Sequence, residues 1–176
     1  MQMVEPFYKE TVVLGCGNIL FGDDGFGTYV AEHLERKCLI PNHVSVMSAG
    51  TGVREILFDL IVSDQRPKRI IVIDAVDKHR SPGEVFRIDI GEVPAHKSDD
   101  FSLHHSPTTN LLKELNEFCN VEVIIIVGQV ESIPETVRPG LSDAMARSVA
   151  IAAQEVLSAC SENCEANKCS RKSKAI

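Results

Sequence analysis

The stretch LGCGNILFGDDGFG, Leu14 to Gly27, places two carboxylates, Asp23 and Asp24, side by side in a glycine-rich turn. A glycine-rich turn between a strand and a helix usually cradles phosphate. Two acids would repel one. The glycines read G-x-G-x-x-x-x-G through Gly15, Gly17 and Gly22, with Leu20 where the dinucleotide fingerprint wants its third glycine. The second apolar run, VSVMSAG, lacks the acid that would hold a ribose, and the chain has no Gly-Lys-Ser/Thr. Nucleotide chemistry therefore fits poorly, and a cation fits better. Asp74 ends a third apolar run, IIVID, and His104 stands in the loop SLHHS. Two carboxylates and an imidazole suit a divalent transition metal such as nickel, zinc or manganese, with open positions for a ligand from a partner.

Each of these residues also has an ordinary role. One of Asp23 and Asp24 is expected to cap the following helix. Asp74 can bond a neighbouring loop, and one of His104 and His105 can be an exposed bystander. Cys16, beside the turn, reads as a small packing residue, because no histidine follows at a spacing that singles it out as a nucleophile's partner. What favours the metal reading is convergence on one edge of the fold.

That convergence depends on the elements. Apolar periodicity predicts strands over 11–15, 44–48, 69–74 and 121–127, and helices over 25–37, 53–63, 107–118 and 142–158 with Ser142 as N-cap. The Ser81-Pro82-Gly83 turn predicts that 84–90 returns as an antiparallel strand by hairpin logic. Strands alternating with helices imply an α/β three-layer sandwich: a mostly parallel sheet of about five strands, one antiparallel, with helices on both faces. Function in such folds lies outside the carboxyl ends of the strands. Asn18, Asp23, Asp24, Ser48, Thr51, Asp74, Asp77, His104, His105, Gln129 and Glu131 all fall at that rim.

With 176 residues, the chain suits one α/β domain over 1–158 and a polar tail over 159–176. Its net charge of -7 leaves no basic footprint for nucleic acid. No apolar run approaches a membrane span, and MQMVEPFYKE does not read as a secretory signal, so a cytoplasmic location is expected. Cys160, Cys164 and Cys169 are spaced C-x3-C-x4-C, away from the two-residue gaps of small metal sites. They read as thiols carried by a polar extension.

The ordered motifs resemble the nickel-iron hydrogenase maturation endopeptidases. Those proteins share a G-x-G-N turn with acids, a glycine-threonine turn after the second strand, an I-x-x-D-A segment, a serine-x-histidine loop and a late glycine-containing strand end. Here these fall on residues 15–24, 50–51, 72–75, 102–104 and 128–133. GTGVREILFDL, IDAVD, DDFSLHHSPTTNLLKEL and IPETVRPGLS are similar to the branch linked to the deazaflavin-coenzyme-reducing hydrogenase of methanogens, where the member is a delta subunit.

The resemblance implies an endopeptidase that removes a C-terminal extension from a hydrogenase large-subunit precursor after nickel insertion. The nickel is carried by the substrate, and a divalent metal can occupy the same site. The implied metal ligands are Asp24, Asp74 and His104, with His105 as the fallback. The implied catalytic carboxylates are Asp24 and Asp74. One departure is Ser48, where many relatives carry an aspartate, so no carboxylate acts from that position. Two rivals remain: a non-catalytic metal-sensing subunit or chaperone for the immature partner, and a small-molecule hydrolase, which the absence of a nucleophile elbow disfavours.

Overall fold

The computed structural model describes residues 9–92 and 106–162. Five strands, β1 (Thr11–Cys16), β2 (Val44–Gly50), β3 (Arg69–Val76), β4 (Val85–Ile88) and β5 (Glu122–Gln129), form one sheet in the order β2-β1-β3-β5-β4. Four helices accompany them: α1 (Phe26–Lys37), α2 (Val53–Val62), α3 (Ser106–Glu117) and α4 (Asp143–Ser161). β1 pairs in parallel with β2 and β3, and β3 in parallel with β5. β4 alone runs antiparallel.

The sequence explains which strands are central. RIIVIDAV is buried at every position of β3, and β5 is buried at seven of its eight. A strand apolar on both faces needs a layer of helices on each. Alternate residues divide between the two layers accordingly. Val12, Leu14, Ile70 and Val72 pack with Leu57 and Leu60 of α2 and Leu112 and Leu115 of α3. Val13, Ile71 and Ile73 pack with Phe26, Val30 and Leu34 of α1 and Met145 and Val156 of α4.

Hairpin logic would set β4 beside β3. The structure sets it beside β5 instead, with Val85 opposite Gly128 and Ile88 opposite Ile125. The free edge of β3 is already taken by β5 along its whole length, from Arg69–Glu122 to Val76–Gln129. The short β4, buried only at Ile88, suits an edge position.

The predicted domain boundary at 158 falls inside α4, which continues to Ser161. Ala159 and Cys160 are buried there, so Cys160 belongs to the core rather than to a tail. Burial pushes its thiol up to about 11. Cys164 and Cys169 lie outside the described residues.

The chain leaves β1 for β2 on one side and then returns to β3 on the other. Such a reversal opens a crevice between the carboxyl ends of β1 and β3, where open α/β sheets bind their ligands. The acidic turn follows the first of these ends, and Asp74 lies at the second.

Candidate functional site

After β1 the backbone turns at Gly17, whose φ of 110° a side chain would strain. Its amide donates to the Gly50 carbonyl at 3.0 Å, tying the turn to the end of β2. A single 3-10 turn, Gly22–Gly25, then carries both acids into α1. α1 presses closely onto the sheet here. A Cβ on Gly27 would lie 2.1 Å from the Ile73 carbonyl oxygen and 2.5 Å from that of Cys16. Glycine at this position lets the start of α1 sit across the ends of β1 and β3, one residue before Asp74.

The two adjacent acids do different work. Asp24, 5% exposed, folds back over the turn, and its Oδ2 accepts from the Asn18 amide at 2.9 Å. Asp23, 1% exposed, reaches away to the segment after β5. Its Oδ2 accepts from the amides of Glu131 at 2.9 Å and Ser132 at 3.4 Å and from the Ser142 hydroxyl at 3.0 Å. Its Oδ1 accepts from the Ser142 amide at 2.7 Å. Neither acid caps α1, whose N-cap is Gly25 without a side-chain bond. The expected capping role is replaced by a clasp that holds residues 131–142 and the start of α4 against the turn. Ser142 is the N-cap of α4 as expected, accepting from the Met145 amide at 3.3 Å.

Asp74 is 1% exposed, and its Oδ1 accepts from the Ala75 amide at 2.8 Å. It stands on the face of the sheet that also carries Cys16, Val72 and Val76, the face covered by α2 and α3. Cys16 feels this neighbour: burial first, and then the negative charge of Asp74, push its thiol well above the usual range. The thiol donates weakly to the Leu14 carbonyl at 3.8 Å. A buried neutral thiol of this kind packs and does not attack, as its sequence context suggested.

His104 and His105 lie outside the described residues; α3 begins at Ser106, and the side chains of Thr108 and Thr109 in its first turn are buried. Among the described residues no three His, Cys, Asp or Glu side chains converge on one point. The described part of the donor set is therefore two buried carboxylates, each with one oxygen fixed by a backbone amide.

Other rim residues have structural tasks. Gln129 receives the amides of Lys78 and Arg80 at 2.8 and 3.2 Å and donates to Asp77 at 3.0 Å, closing the loop after β3. Asp77 also accepts from the His79 amide, and that bond, then Gln129, lowers its pKa. Ser48 pairs with Gly15 and is exposed at the crevice, as is Thr51. The sequence reading missed the apolar residues of the 131–142 segment. Ile133 and Val137 are exposed there, and the signal was available in IPETVRPG, where two apolar residues stand four apart, at helical spacing, in a stretch whose prolines disfavour the helix that would bury them. A groove of about 650 Å³ runs along the same segment, lined by Asp23, Glu131, Arg138, Ser142 and Arg147, but neither Asp24 nor Asp74 lines it.

Fold and site thus define an α/β protein whose switch-point crevice presents carboxylates in place of a phosphate cradle. The family model for hydrogenase maturation proteases matches residues 28–159. A putative hydrogenase maturation protease of Methanocaldococcus jannaschii is 39% identical over 150 residues, 85% of this chain and 95% of that one. The coenzyme F420 hydrogenase subunit delta of Methanothermobacter thermautotrophicus is 35% identical over 155 residues, covering 86% and 95%. The solved structure of the hydrogenase maturating endopeptidase HybD from E. coli superposes with a TM-score of 0.66 at 28% identity, covering 85% and 90%. The chain belongs to the hydrogenase maturation protease family, and its class of reaction is peptide-bond hydrolysis. No helix among the described residues is long and apolar enough to cross a membrane.

Proposed function

We propose that this chain acts in the cytoplasm on the large-subunit precursor of a nickel-iron hydrogenase, removing its C-terminal extension once nickel is in place. The observation that carries the reading is the pair Asp24 and Asp74, both buried at the β1–β3 crevice and both oriented by backbone amides. Carboxylates fixed in this way lose little further entropy on binding a cation. The family resemblance adds His104, and these residue types would make a two-oxygen, one-nitrogen donor set suited to nickel, which is here part of the substrate. The same three side chains suit a divalent metal in the isolated protein.

Hydrolysis adds water to the scissile carbonyl, breaks the carbon–nitrogen bond and delivers a proton to the leaving amine. The exposed Ser48 offers no carboxylate, and Cys16 is held neutral, so the base is Asp24, Asp74 or a metal-bound water. We favour polarisation by the substrate's nickel, which makes cleavage depend on prior metal insertion. The name of the delta-subunit relative favours a second reading, an assembly subunit that binds the immature partner without cutting it. A gel decides between them. Purified protein is incubated with nickel-loaded and with nickel-free precursor, and shortening in the nickel-loaded lane alone is the expected result. A full-length precursor in both lanes would leave the assembly reading, and shortening in both would remove the metal dependence.

A further inference from the structure

Of the nine large apolar side chains exposed among the described residues, four belong to two segments that meet at the rim: Ile19, Leu20, Ile133 and Val137. Two separate segments supply them, and the backbone joins those segments. The Arg138 amide donates to the Leu20 carbonyl at 2.8 Å, and the Gly22 amide donates to the Arg138 carbonyl at 2.9 Å. Phe21 and Arg138 thereby form a one-residue parallel bridge. A Cβ on Gly22 would lie 2.9 Å from Pro134 Cδ, so the segment rests directly on the turn. The Asp23 clasp fixes its two ends, at Glu131 and Ser142.

We propose that these four side chains form a docking strip for an apolar stretch of the hydrogenase large-subunit precursor, close to its scissile bond. The proposal rests on the function proposed above, because it assumes that the precursor is the substrate. The strip is continuous with the site, since Ile19 and Leu20 belong to the same turn whose Asn18 amide orients Asp24. A protease acting on a folded partner must hold a chain segment beside its reacting groups. Exposed Ile, Leu and Val at 41% to 64% of their surface supply area that such a segment would remove from water. A polar groove adjoins the strip through Arg138 and Pro134, which leaves room for the flanking residues to remain hydrated. The sequence stretch that resembles the family, IPETVRPGLS, gains a task here: Leu141 packs on the core, while Ile133 and Val137 stay exposed for the partner.

The test measures binding and cleavage separately. A double variant, Ile133→Ser with Val137→Ser, is compared with Leu39→Ser/Phe118→Ser, which alters two exposed apolar residues just past the ends of α1 and α3, before the amino ends of β2 and β5 and so away from the rim. Each full-length protein is titrated against immobilised nickel-loaded precursor, and cleavage is followed across precursor concentrations. The strip variant should bind at least about tenfold more weakly and need correspondingly more precursor for half-maximal cleavage, while the control matches the wild type. Equal affinity of strip variant and wild type overturns the strip, as does equal weakening in both variants. Wild-type protein that binds the precursor without cutting it defeats the proposed catalysis, yet the affinity difference still decides the strip.

Discussion

At the lower end of the sheet Arg69, 1% exposed, meets Glu122 across β3 and β5, its Nε donating to the carboxylate at 2.8 Å. Its Nη1 donates to the Ala159 carbonyl at 2.7 Å, closing the end of α4. At the upper end Asp23 is equally buried, and it accepts from the amides of Glu131 and Ser142 and from the Ser142 hydroxyl, while backbone amides also orient the buried Asp24 and Asp74. One end thus answers charge with opposite charge. The other sets backbone dipoles around its carboxylates. A guanidinium ties its carboxylate partner into the frame, whereas backbone amides orient a carboxylate oxygen toward a ligand's place. The difference assigns structure to the lower end and ligand chemistry to the upper one.

The upper end should break first. Asp24→Asn keeps an acceptor for the Asn18 amide while removing the charge, so precursor cleavage should be abolished with the melting temperature shifted by no more than a few degrees. A gel and a thermal scan on the same preparation check both halves. Asp23→Ala is expected to cost stability instead. It strands the Ser142 and Glu131 amides, with a loss of about 2–4 kcal/mol and a melting temperature lower by roughly 4–16 °C. Limited proteolysis should then open the 131–142 segment first.

The lower end sharpens the contrast. Arg69→Met alone takes the guanidinium away from Glu122, whose side chain is 14% exposed, and should cost about 1–3 kcal/mol, whereas Arg69→Met with Glu122→Leu should recover most of that loss, and cleavage should survive in the double variant. Denaturant midpoints of the single and double variants measure the recovery. The smallest effect belongs to Asp77. The His79 amide and Gln129 lower its folded pKa, so its contribution is complete above the ordinary carboxylate value and disappears as pH falls through the lowered one. Asp77→Asn should therefore be slightly less stable than wild type near neutral pH, and the gap should close in strong acid. Urea midpoints at both ends of that range would show it. A gap that widened in acid would reverse the sign.

Much of the fold was legible in residue order. Nearly continuous Ile and Val in β3 and β5 required cover on both faces, and the alternation of strands with helices required a parallel sheet. The position of β4 was not legible, because hairpin logic weighs only local connection. The slot beside β3 was instead won by the longer, more apolar β5. Asp24 and Asp74 could be placed at the rim from the strand ends alone. The division of labour between Asp23 and Asp24 could not, since identical neighbouring side chains give identical local signals.

The sequence by itself determined the family, the layer architecture and the presence of carboxylates in place of a phosphate cradle. These follow from periodicity and motif order, which are properties of short stretches. Only the tertiary structure decided that Asp23 grips residues more than a hundred positions away, while Asp24 turns back over its own loop. Asp23 finds its partners only because the 131–142 segment and the start of α4 are folded against the turn, a contact between elements that no local pattern encodes.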